Sequence, residues 1–535
     1  MNYEESVRSL LALGRELAAP QQAHVQKFGL DNIRTLSAAL GNPHLAIPCI
    51  HVAGTNGKGS TAAMIESILR AAGFRTGLYT SPHLELINER IRIDGEEVMD
   101  DAFAAAWTLV RSAIESLMAS GKLAAHPTFF ECVTAIAFVA FQNAGASGFH
   151  ARGHSERRDG AMRNSKPEQS LFSSAPEIRG QPGRLGRTGG SQPVRHVSTR
   201  PAGTLDVCVY EVGLGGRLDS TNIIEPEVAV ITPIDFDHEN FLGHSIEDIA
   251  AEKAGIIKLG SWVVSAPQRP EARAVIRRRA HELRARIVES EAIWHLGEVT
   301  SRDGRYRATA SPAEARDFSL SEETPVDEAL VSASPNGESW SPDTGRREIS
   351  IAPGLPGKFQ IQNALTAATA AFLLGKRGFA ITDDAISAGI ASARWPGRLE
   401  RLSDKPAIYL DGAHNPAAAR ELRDFWRENF AGSRIILIYG AMRDKAVDEI
   451  AGVLFPMAAR VILTQPRQPR AISAPLLAEM TAGLARDPAT IADPAQALEH
   501  ALDIAAPDDV VFVTGSLFLV GDLRRYWRTR PAVRA

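Results

Sequence analysis

The sequence predicts an α/β protein with two mostly parallel sheets that helices cover. Two observations lead to this fold class. Short apolar runs alternate with helical patterns from the run at 46–52 to the helical segment at 245–257. The same alternation begins again near Ala407 and continues to the segment at 508–521. Strands that are separated by helices are typical of parallel sheets with both faces covered.

The predicted elements follow one another in a regular order. In the first region we predict helix and loop over residues 1–50, then a strand at 46–52, a helix at 61–73, a strand at 76–80, a helix at 131–142, strands at 205–212 and 227–234, and a helix at 245–257. In the second region we predict strands at 408–415, 434–441, 459–466 and 508–521, with helices between them. This second pattern indicates a separate Rossmann-like sheet.

Length and composition limit the number of domains and the classes of partner. With 535 residues, 44% of them hydrophobic, the chain is too long for one core, and we predict domains at 1–400 and 401–535. A net charge of -4 gives no basic field that would gather nucleic acid or anionic membrane. The first residues lack the pattern of a secretory signal, and no apolar run is long enough to span a bilayer. We therefore expect a cytoplasmic monomer without nucleic-acid or membrane partners.

Two segments lack the periodic patterns of the rest. Residues 144–204 are rich in Gly, Ser, Arg and Pro and have a basic bias, whereas residues 317–347 are polar with an acidic bias. Such compositions cannot bury enough apolar surface to fold, so we predict a low-complexity insertion and a polar loop. A basic tract can bind nucleic acid, but this one lacks the interleaved aromatic residues of such a site, which favours a solvated insertion.

The strongest local signal is the sequence AGTNGKGST at 53–61, between a predicted strand and a predicted helix. Glycines let backbone N–H groups close on phosphate oxygens, a lysine reaches the terminal phosphates, and the helix N-terminus favours an anion. The loop departs from the usual phosphate-loop pattern, because Gly59 stands where a hydroxyl residue usually follows the lysine, and residue 52 is valine. The residues that we predict to bind ATP here are Thr55, Asn56, Gly57, Lys58, Gly59 and Ser60.

Glu211 is placed for cation binding. It comes near the end of the predicted strand at 205–212, directly before a glycine-rich turn. Open α/β sheets bind their ligands at the carboxyl ends of the strands, and a carboxylate there suits a hard cation such as Mg²⁺. For His238 and Lys253, residue chemistry alone leaves open an ordinary loop histidine and a solvated or ion-paired lysine.

Taken in order, the motifs of the chain resemble the folate branch of the Mur ligase superfamily. The phosphate loop is followed by SPHL at 81–84, YEVGLGGRLDSTN at 210–222, DH at 237–238, AEKAGI at 251–256, LPGKFQIQNA at 355–364, WPGRL at 395–399 and DGAHNP at 411–416. The resemblance covers most of the chain outside the two segments without periodic pattern. It implies a Mur-ligase-like P-loop ATPase domain with a mostly parallel sheet, followed by a Rossmann-like glutamate ligase domain.

The resemblance also implies roles for residues at the nucleotide site. Ser81, Glu211 and His238 match the family's Mg²⁺ ligands, although histidine is a less usual ligand for this ion than oxygen. Lys253 matches a lysine whose carbamylation would create a carboxylate-like ligand for a second Mg²⁺. The implied catalytic residues are Lys58, Lys253 and His238. The implied nucleotide contacts in the later part of the chain are Asn363, Arg398, Asp411 and His414.

The segment TFFE at 128–131 opens a predicted helix and matches the family's pterin site. An aromatic ring offers a stacking surface, and a carboxylate can accept hydrogen bonds from the N–H groups of a pterin ring. Core packing is an equal alternative for either phenylalanine taken singly. The implied substrate contacts are Thr128, Phe129, Phe130, Glu131, Leu218, Asp219 and Ser220. The stretch at 28–32 resembles another pterin loop more loosely.

The activity implied by the resemblance is ATP-dependent ligation of L-glutamate to dihydropteroate, to the terminal glutamate of folates, or to both, through an acyl phosphate. Two alternatives remain. A Mur-type peptide ligase of cell-wall synthesis would need a UDP-binding domain before the loop, where only about fifty residues precede Gly54, fewer than the ~100 of an ordinary domain. A non-catalytic nucleotide-binding protein would not need Glu211, His238 and Lys253 together.

Overall fold

The structure is a computed structural model that describes residues 1–16, 29–145, 203–313 and 348–530. Over these ranges the strands form three sheets. Among the helices described there, none is both long enough and apolar enough to cross a membrane. The polar loop at 317–347, nearly all of the insertion at 144–204 and the first residue of the stretch at 28–32 lie outside the described residues, so what we predict for them remains a prediction.

The first sheet has eight strands in the order β4-β3-β2-β5-β1-β6-β7-β8, and five of its seven pairings are parallel. Its strands are β1 (Cys49–Ala53), β2 (Thr76–Tyr79), β3 (Ile91–Ile93), β4 (Glu96–Glu97), β5 (Val207–Glu211), β6 (Val228–Ile231), β7 (Trp262–Ser265) and β8 (Arg286–Glu289). The prediction of a mostly parallel sheet is confirmed. Because β1 lies between β5 and β6, the loops that follow these three strands meet at one edge.

Helices pack on both faces of this sheet. Ile50 and Val52 of β1 belong to one apolar core, whereas Cys49 belongs to the core on the other face. The helices of this part are α1 (Tyr3–Glu16), α2 (Asp31–Ala39), α3 (Lys58–Ala71), α4 (Asp100–Ala119), α5 (Phe129–Gln142), α6 (Glu239–Leu242), α7 (Ile246–Ala254), α8 (Pro270–Glu282), α9 (Ser290–Ile293), α10 (Phe359–Lys376) and α11 (Asp383–Ser392). Short 3-10 helices span Pro43–Leu45, Ile87–Arg90 and Ser220–Ile223.

A small antiparallel sheet follows, which the sequence patterns do not predict. Its strands are β9 (Trp294–Leu296), β10 (Thr300–Arg302), β11 (Arg305–Pro312) and β12 (Ile349–Ile351). The central strand β11 pairs with the other three and alternates exposed and buried residues over most of its length. Such alternation is typical of a strand that packs one face on a core.

The third sheet has six strands in the order β13-β14-β18-β15-β16-β17, with one antiparallel pairing, β13 with β14. Its strands are β13 (Glu400–Asp404), β14 (Ala407–Leu410), β15 (Ile435–Tyr439), β16 (Arg460–Leu463), β17 (Ala489–Thr490) and β18 (Val510–Thr514). The helices are α12 (Pro416–Asn429), α13 (Val447–Leu454), α14 (Ala474–Met480), α15 (Pro494–Ile504) and α16 (Leu517–Thr529), with a 3-10 helix at Phe455–Met457. We call it the C-terminal sheet. The domain boundary between residues 400 and 401 stays a prediction.

The prediction of one strand over 508–521 is wrong in its second half. Strand β18 ends at Thr514, and the residues from Leu517 onward are helical. Gly515 has a φ of +99°, and the Ser516 hydroxyl accepts a hydrogen bond from the N–H of Phe518 at 3.2 Å. A continuous apolar run has no periodicity that distinguishes a buried strand from a buried helix. Here the glycine with a positive φ ends the strand, and the N-cap serine begins the helix.

The two ends of the basic insertion lie side by side. A β-carbon on Gly145 would lie 2.6 Å from the carbonyl carbon of Gly203. The chain returns next to the start of β2, since the N–H of Asp206 donates to the carbonyl oxygen of Arg75 at 2.9 Å. The insertion therefore leaves and rejoins the described structure at the amino-terminal edge of the first sheet, opposite the edge that carries the phosphate loop.

Candidate active site at the edge of two sheets

The phosphate loop joins β1 to α3 at the carboxyl edge of the first sheet. Gly57, with a φ of +82°, directly precedes α3. The N–H groups of Thr55 and Asn56 donate to the carbonyl oxygen of Pro233, at 2.9 and 3.2 Å, and the Thr55 hydroxyl donates to the carbonyl oxygen of Asp235 at 2.9 Å. The segment after β6 therefore fixes the loop in front of the N-terminus of α3, a geometry that suits phosphate.

The structure explains why a glycine follows the loop lysine: a side chain at this position would clash with Trp395. A β-carbon on Gly59 would lie 2.7 Å from Nε1 of Trp395, closer than real β-carbons come to other atoms. The Trp395 ring also carries the guanidinium of Arg92, 5.1 Å from the ring centroid. The segment after α11 thus covers the start of α3. The next residue, Ser60, lies with its hydroxyl oxygen 3.4 Å from Nε2 of Gln360, which donates to it.

Two lysines meet at one carbonyl group of the loop. Nζ of Lys58 donates to the carbonyl oxygens of Gly54 and Thr55, both at 3.1 Å, and Nζ of Lys253, on α7, donates to Gly54 at 2.9 Å. Among the described residues, no carboxylate oxygen lies within 4 Å of either nitrogen. Burial lowers the pKa of both side chains, and with the help of Lys58 it lowers that of Lys253 to about 7. Lys253 is therefore only partly protonated near pH 7.

Glu211 and Ser81 lie side by side at the same edge. Oε2 of Glu211, a buried side chain at the end of β5, accepts a hydrogen bond from the N–H of Ser81 at 3.2 Å. Burial raises the pKa of Glu211, and the charge of Lys58 opposes the shift. Both residues line one small cavity, whose other walls include Gly59, Trp395, Arg398 and Leu517.

Two of the residues implied as Mg²⁺ ligands, Ser81 and Glu211, line the same cavity. A hydroxyl group and a carboxylate are oxygen ligands, which suit this ion. Over the described ranges, no three His, Cys, Asp or Glu side chains come together as a metal site. Lys253 is bonded to a carbonyl oxygen as a donor, and His238 contacts charged neighbours. A second ion would therefore need the carbamylated form of Lys253.

His238 belongs to a charged cluster that links the first sheet to the C-terminal sheet. Nζ of Lys445 lies 2.7 Å from Oδ1 of Asp237 and 3.2 Å from Nε2 of His238. Nδ1 of His238 lies 3.6 Å from Asp444. Burial lowers the pKa of His238 to about 4 although Asp237 opposes the shift. The imidazole is therefore neutral near pH 7, and Nε2 accepts from Lys445.

The C-terminal sheet reaches the phosphate loop through the segment after β14. Nδ2 of Asn415 donates to Oδ1 of Asn56 at 2.8 Å, and Nδ2 of Asn56 lies 3.4 Å from Oδ1 of Asn415. Nδ1 of His414 lies 2.7 Å from the carbonyl oxygen of Gly412, so this nitrogen carries the proton and Nε2 faces Asp237 at 3.6 Å. The site is therefore built by both sheets.

Asp411 and Arg398 join the connecting segment to β14. The two oxygens of Asp411 accept hydrogen bonds from the N–H groups of Leu399 and Ala413, both at 2.9 Å. Burial raises the pKa of Asp411, and Arg398 opposes the shift. A β-carbon on Gly412 would overlap Nη1 of Arg398. Asp411 thus holds the segment in place, while Arg398 faces the cavity with Glu211.

Asn363 lies on α10 against the phosphate loop. A β-carbon on Gly57 would overlap Oδ1 of Asn363, whose Nδ2 donates to Oε1 of Gln360 at 2.9 Å. The structure therefore brings Asn363 to the loop, while its implied contact with adenine stays a prediction.

At the implied acceptor site, Thr128 and Glu131 form the capping box of α5. The N–H of Glu131 donates to Oγ1 of Thr128 at 3.2 Å, and the N–H of Thr128 donates to Oε2 of Glu131 at 2.7 Å. Phe129 is half-buried, with the guanidinium of Arg90 5.6 Å from its ring centroid. The capping box fixes the direction in which this ring leaves the helix.

Asp219 holds the glycine-rich turn after β5. Oδ2 accepts from the N–H groups of Gly213 and Leu214, at 2.9 and 3.0 Å, and Oδ1 accepts from the N–H and the hydroxyl of Thr221, at 3.0 and 2.5 Å. A β-carbon on Gly213 would overlap the ring of Phe130. Phe130 thus lies against the turn that carries Leu218, Asp219 and Ser220, and the role of these residues in binding the acceptor stays a prediction. Leu218 there is half-buried and Ser220 is buried.

Several residues of the site are not among those predicted from the sequence. Among them are Asp237, Trp395, Asn415 and Lys445. The first three lie inside motifs used for the resemblance, but their contacts depend on the approach of distant segments. Lys445 follows the buried strand β15 by a few residues, and charged residues just after a buried parallel strand are the signal that singles out Glu211.

Comparison with known proteins supports the same family. The model of the Mur ligase middle domain matches residues 194–371, and the model of the Mur ligase glutamate ligase domain matches residues 397–517. The dihydrofolate synthase/folylpolyglutamate synthase of Bacillus subtilis (strain 168) is 32% identical over 501 residues, which cover 93% of this chain and 95% of that protein. The chain belongs to the folylpolyglutamate synthase family.

Solved structures of the folylpolyglutamate synthase family share the fold. The Mycobacterium tuberculosis folylpolyglutamate synthase, complexed with ADP and AMPPCP, matches with a TM-score of 0.73 and 26% identity. The match covers 98% of this chain and 100% of that one. Escherichia coli FolC, in complex with DHPP and ADP, has a TM-score of 0.68 and 27% identity, covering 97% and 98%. The Mur ligase fold predicted from the motifs is confirmed, and both of these folylpolyglutamate synthase relatives hold nucleotides.

Proposed function

We propose that this protein is an ATP-dependent ligase that joins the amino group of L-glutamate to dihydropteroate and to the terminal glutamate of folates. Family membership supports the reaction class. The observation that carries the proposal is the meeting of Lys58 and Lys253 at the Gly54 carbonyl group, beside the buried carboxylate of Glu211. A binding-only protein would need a phosphate loop, but not this second lysine and carboxylate.

The first step transfers a phosphoryl group. The acceptor carboxylate attacks the γ-phosphorus of ATP, the bond to the β-phosphate oxygen breaks, and ADP and an acyl phosphate form. The loop N–H groups and Lys58 balance the charge that spreads over the transferred group. No covalent intermediate with the protein is needed, so the chain supplies position and charge rather than a nucleophile.

The second step forms the amide bond. The neutral amine of glutamate attacks the acyl carbon, phosphate leaves, and the amine loses a proton. The main contribution of the protein is to hold the two groups together and to exclude water from the acyl phosphate. The contacts of Asn56 with Asn415, and of Asp237 with Lys445, close the C-terminal sheet over the phosphate loop and support this role.

Mg²⁺ fits the proposed site. Ser81, Glu211 and His238 would hold one ion, and carbamylated Lys253 would hold a second. When bound, the ions neutralise phosphate charge during transfer. Lys253 is suited to carbamylation because its nitrogen is buried without a carboxylate partner among the described residues, and burial holds its pKa at about 7.

A Mur-type peptide ligase is the remaining alternative enzyme. It is disfavoured because a folate-type relative matches nearly the whole chain, at 93% coverage. A decisive assay offers the purified protein ATP, Mg²⁺ and labelled glutamate with dihydropteroate, with tetrahydrofolate, or with a UDP-linked muramoyl peptide. We expect label in both folate-type products. Label in the peptide alone, or in no product from a folded protein that binds ADP, would contradict the proposal.

A further inference from the structure

Glu85 is a buried carboxylate that the proposed chemistry does not use. It lies between β2 and β3, and its side chain is only 2% exposed. Three arginines of α16 surround it. Nη1 of Arg524 lies 2.7 Å from Oε1, Arg528 bonds Oε2, and Nη2 of Arg525 donates to the Glu85 carbonyl oxygen at 2.8 Å. A loop of the first sheet is thereby fastened to the last described helix of the C-terminal sheet.

The helix and the loop approach each other closely. A β-carbon on Gly521 would overlap the carbonyl oxygen of Leu84, and one on Gly397 would lie 3.2 Å from Cδ1 of Leu84. The Leu84 side chain packs against the apolar core of the C-terminal sheet. The loop between β2 and β3 of the first sheet therefore packs against the apolar core of the C-terminal sheet.

The fastened loop is connected to the candidate active site by short, well-bonded backbone. The carboxylate of Glu89 accepts hydrogen bonds from the N–H groups of residues 84–86, at 2.7, 3.0 and 3.0 Å. Ser81, a few residues earlier, bonds Glu211 and lines the cavity. Leu517, the first residue of α16, lines the same cavity. The position of α16 is thus coupled to the position of Ser81.

The ion pairs between the loop and α16 add little net stability, but they fix the relative placement of the two elements. Arg524 is 16% exposed and also bonds both oxygens of Glu400, at 2.9 and 3.0 Å. Bringing such charges out of water costs about as much as their pairing returns, unless every group is bonded. A fully bonded cluster of this kind fits one relative placement of two elements, and a displaced placement leaves charges buried and unpaired.

We propose that Glu85 is a positioning residue for ligation. With Arg524, Arg525 and Arg528 it holds the loop that carries Ser81 in register with α16, so that the cavity walls from the two sheets meet in one arrangement. The inference rests on the proposed function, and it assigns to the reaction a contact that touches no substrate.

The test compares Glu85→Gln with Glu499→Gln. Glu499 is a matched control because it bonds the same helix, accepting from Tyr526 and Arg530 at 2.8 Å each, without contacting the loop in these bonds. In Glu85→Gln we expect kcat for glutamate incorporation to fall about tenfold or more, while the Kd for ADP measured by calorimetry stays within about threefold. Hydrogen exchange at the backbone amides of residues 83–86 should become faster. In Glu499→Gln, kcat and this exchange should stay at wild-type values.

Two results would overturn the inference. One is a folded Glu85→Gln protein with wild-type kcat and wild-type exchange at the amides of residues 83–86. The other is an equal loss of kcat in Glu499→Gln. If Glu85→Gln does not fold, Arg528→Gln replaces it, because this half-exposed partner can be removed while Arg524 remains. If the wild-type protein incorporates no glutamate, the proposed function fails, whereas the exchange comparison still decides whether Glu85 holds the loop.

Discussion

Lys58 and Lys253 donate hydrogen bonds to the same acceptor, the carbonyl oxygen of Gly54. Lys58 is the first residue of the helix behind the loop, whereas Lys253 comes from α7, 199 residues after Gly54. The two side chains reach one point from different elements, so each can be removed without removing the element that carries the other. Each lysine can therefore be mutated singly, but the two effects are coupled, because the charge of Lys58 helps to lower the pKa of Lys253.

Lys58→Ala should lower kcat for ligation by on the order of 10² or more, because the charge at the transferred phosphate is lost. Circular dichroism and the melting temperature should stay close to those of the wild type. Steady-state assays with labelled glutamate measure the effect, and Lys122→Ala, an exposed lysine elsewhere, serves as the control. Wild-type turnover in a folded Lys58→Ala protein would remove the loop from the mechanism.

Lys253→Ala should be nearly inactive, and short-chain carboxylates or bicarbonate should restore part of the activity if a carbamate is the working group. Carbon-13 NMR of protein equilibrated with labelled CO₂ should show one carbamate signal that Lys253→Ala lacks. An unmodified ammonium group at Lys253 in a density map collected with CO₂ present would count against carbamylation, though not against the ligase activity.

Asn415→Ala should raise the KM for ATP several-fold, because the loop loses its bond to the C-terminal sheet, and one such neutral bond contributes about 1 kcal/mol. A double-mutant cycle with Asn56→Ala should show coupling of about that size. Asn429→Ala is the matched control, since Asn429 bonds Tyr306 at 3.0 Å instead of the loop. Additive effects of the two site mutations would mean that the pair does not form in solution.

The free energy of unfolding should decrease as the pH is lowered, because His51 is buried in its neutral form. This histidine is fully buried, Nε2 lies 2.8 Å from the Thr221 hydroxyl, and Nδ1 has no hydrogen-bond partner among the residues that the structure describes. Burial, followed by the charge of Lys258, lowers its pKa to about 3, below the ordinary 6.5. The unfolded chain therefore takes up a proton first, so the stability that is present above pH 6.5 is lost as the pH falls towards 3.

The loss due to His51 should reach about 1.4 kcal/mol between pH 7.5 and 5.5. Denaturant unfolding of the wild type and of His51→Gln, which keeps a neutral donor for Thr221, measures it as the difference between the two pH dependences. Equal pH dependence in the two proteins would show that His51 takes up its proton equally in both states.

Replacing residues 148–202 by a short Gly/Ser linker should leave kcat and the KM for ATP within about threefold and the stability little changed, because loop length costs only ~0.6 kcal/mol per doubling. Gly145 and Gly203 already lie in contact, so a short linker closes the gap without strain. A shortened protein that folds but no longer ligates glutamate would show that the segment reaches the active site.

Local signals in the sequence are enough for the phosphate loop, Glu211 and the two mostly parallel sheets. The loop is contiguous, and the end of a buried strand marks Glu211 whatever the rest of the chain does. The small sheet around β11 is not predictable in the same way, because its strands are short and β12 comes after the polar loop. The helix at Leu517 was hidden in an apolar run that a strand and a buried helix share.

The rest of the site depends on contacts between distant residues. Lys445 and Asn415 act on residues more than two hundred positions earlier in the chain, and no spacing in the sequence reveals such a meeting. Likewise Asp219 is recognisable as a motif residue, but only the structure shows that both of its oxygens are bonded to the turn and to Thr221.

The pairing of Asn56 with Asn415 has a consequence for synthesis on the ribosome. The two residues are 359 positions apart, so at ~5–20 residues per second roughly 20–70 s pass between their translation. During that interval the nascent chain has a complete phosphate loop but lacks Asn415, His414 and Lys445. An unfinished chain therefore lacks the residues that join the C-terminal sheet to the phosphate loop, and the site that both sheets build can form only after Lys445 has been translated.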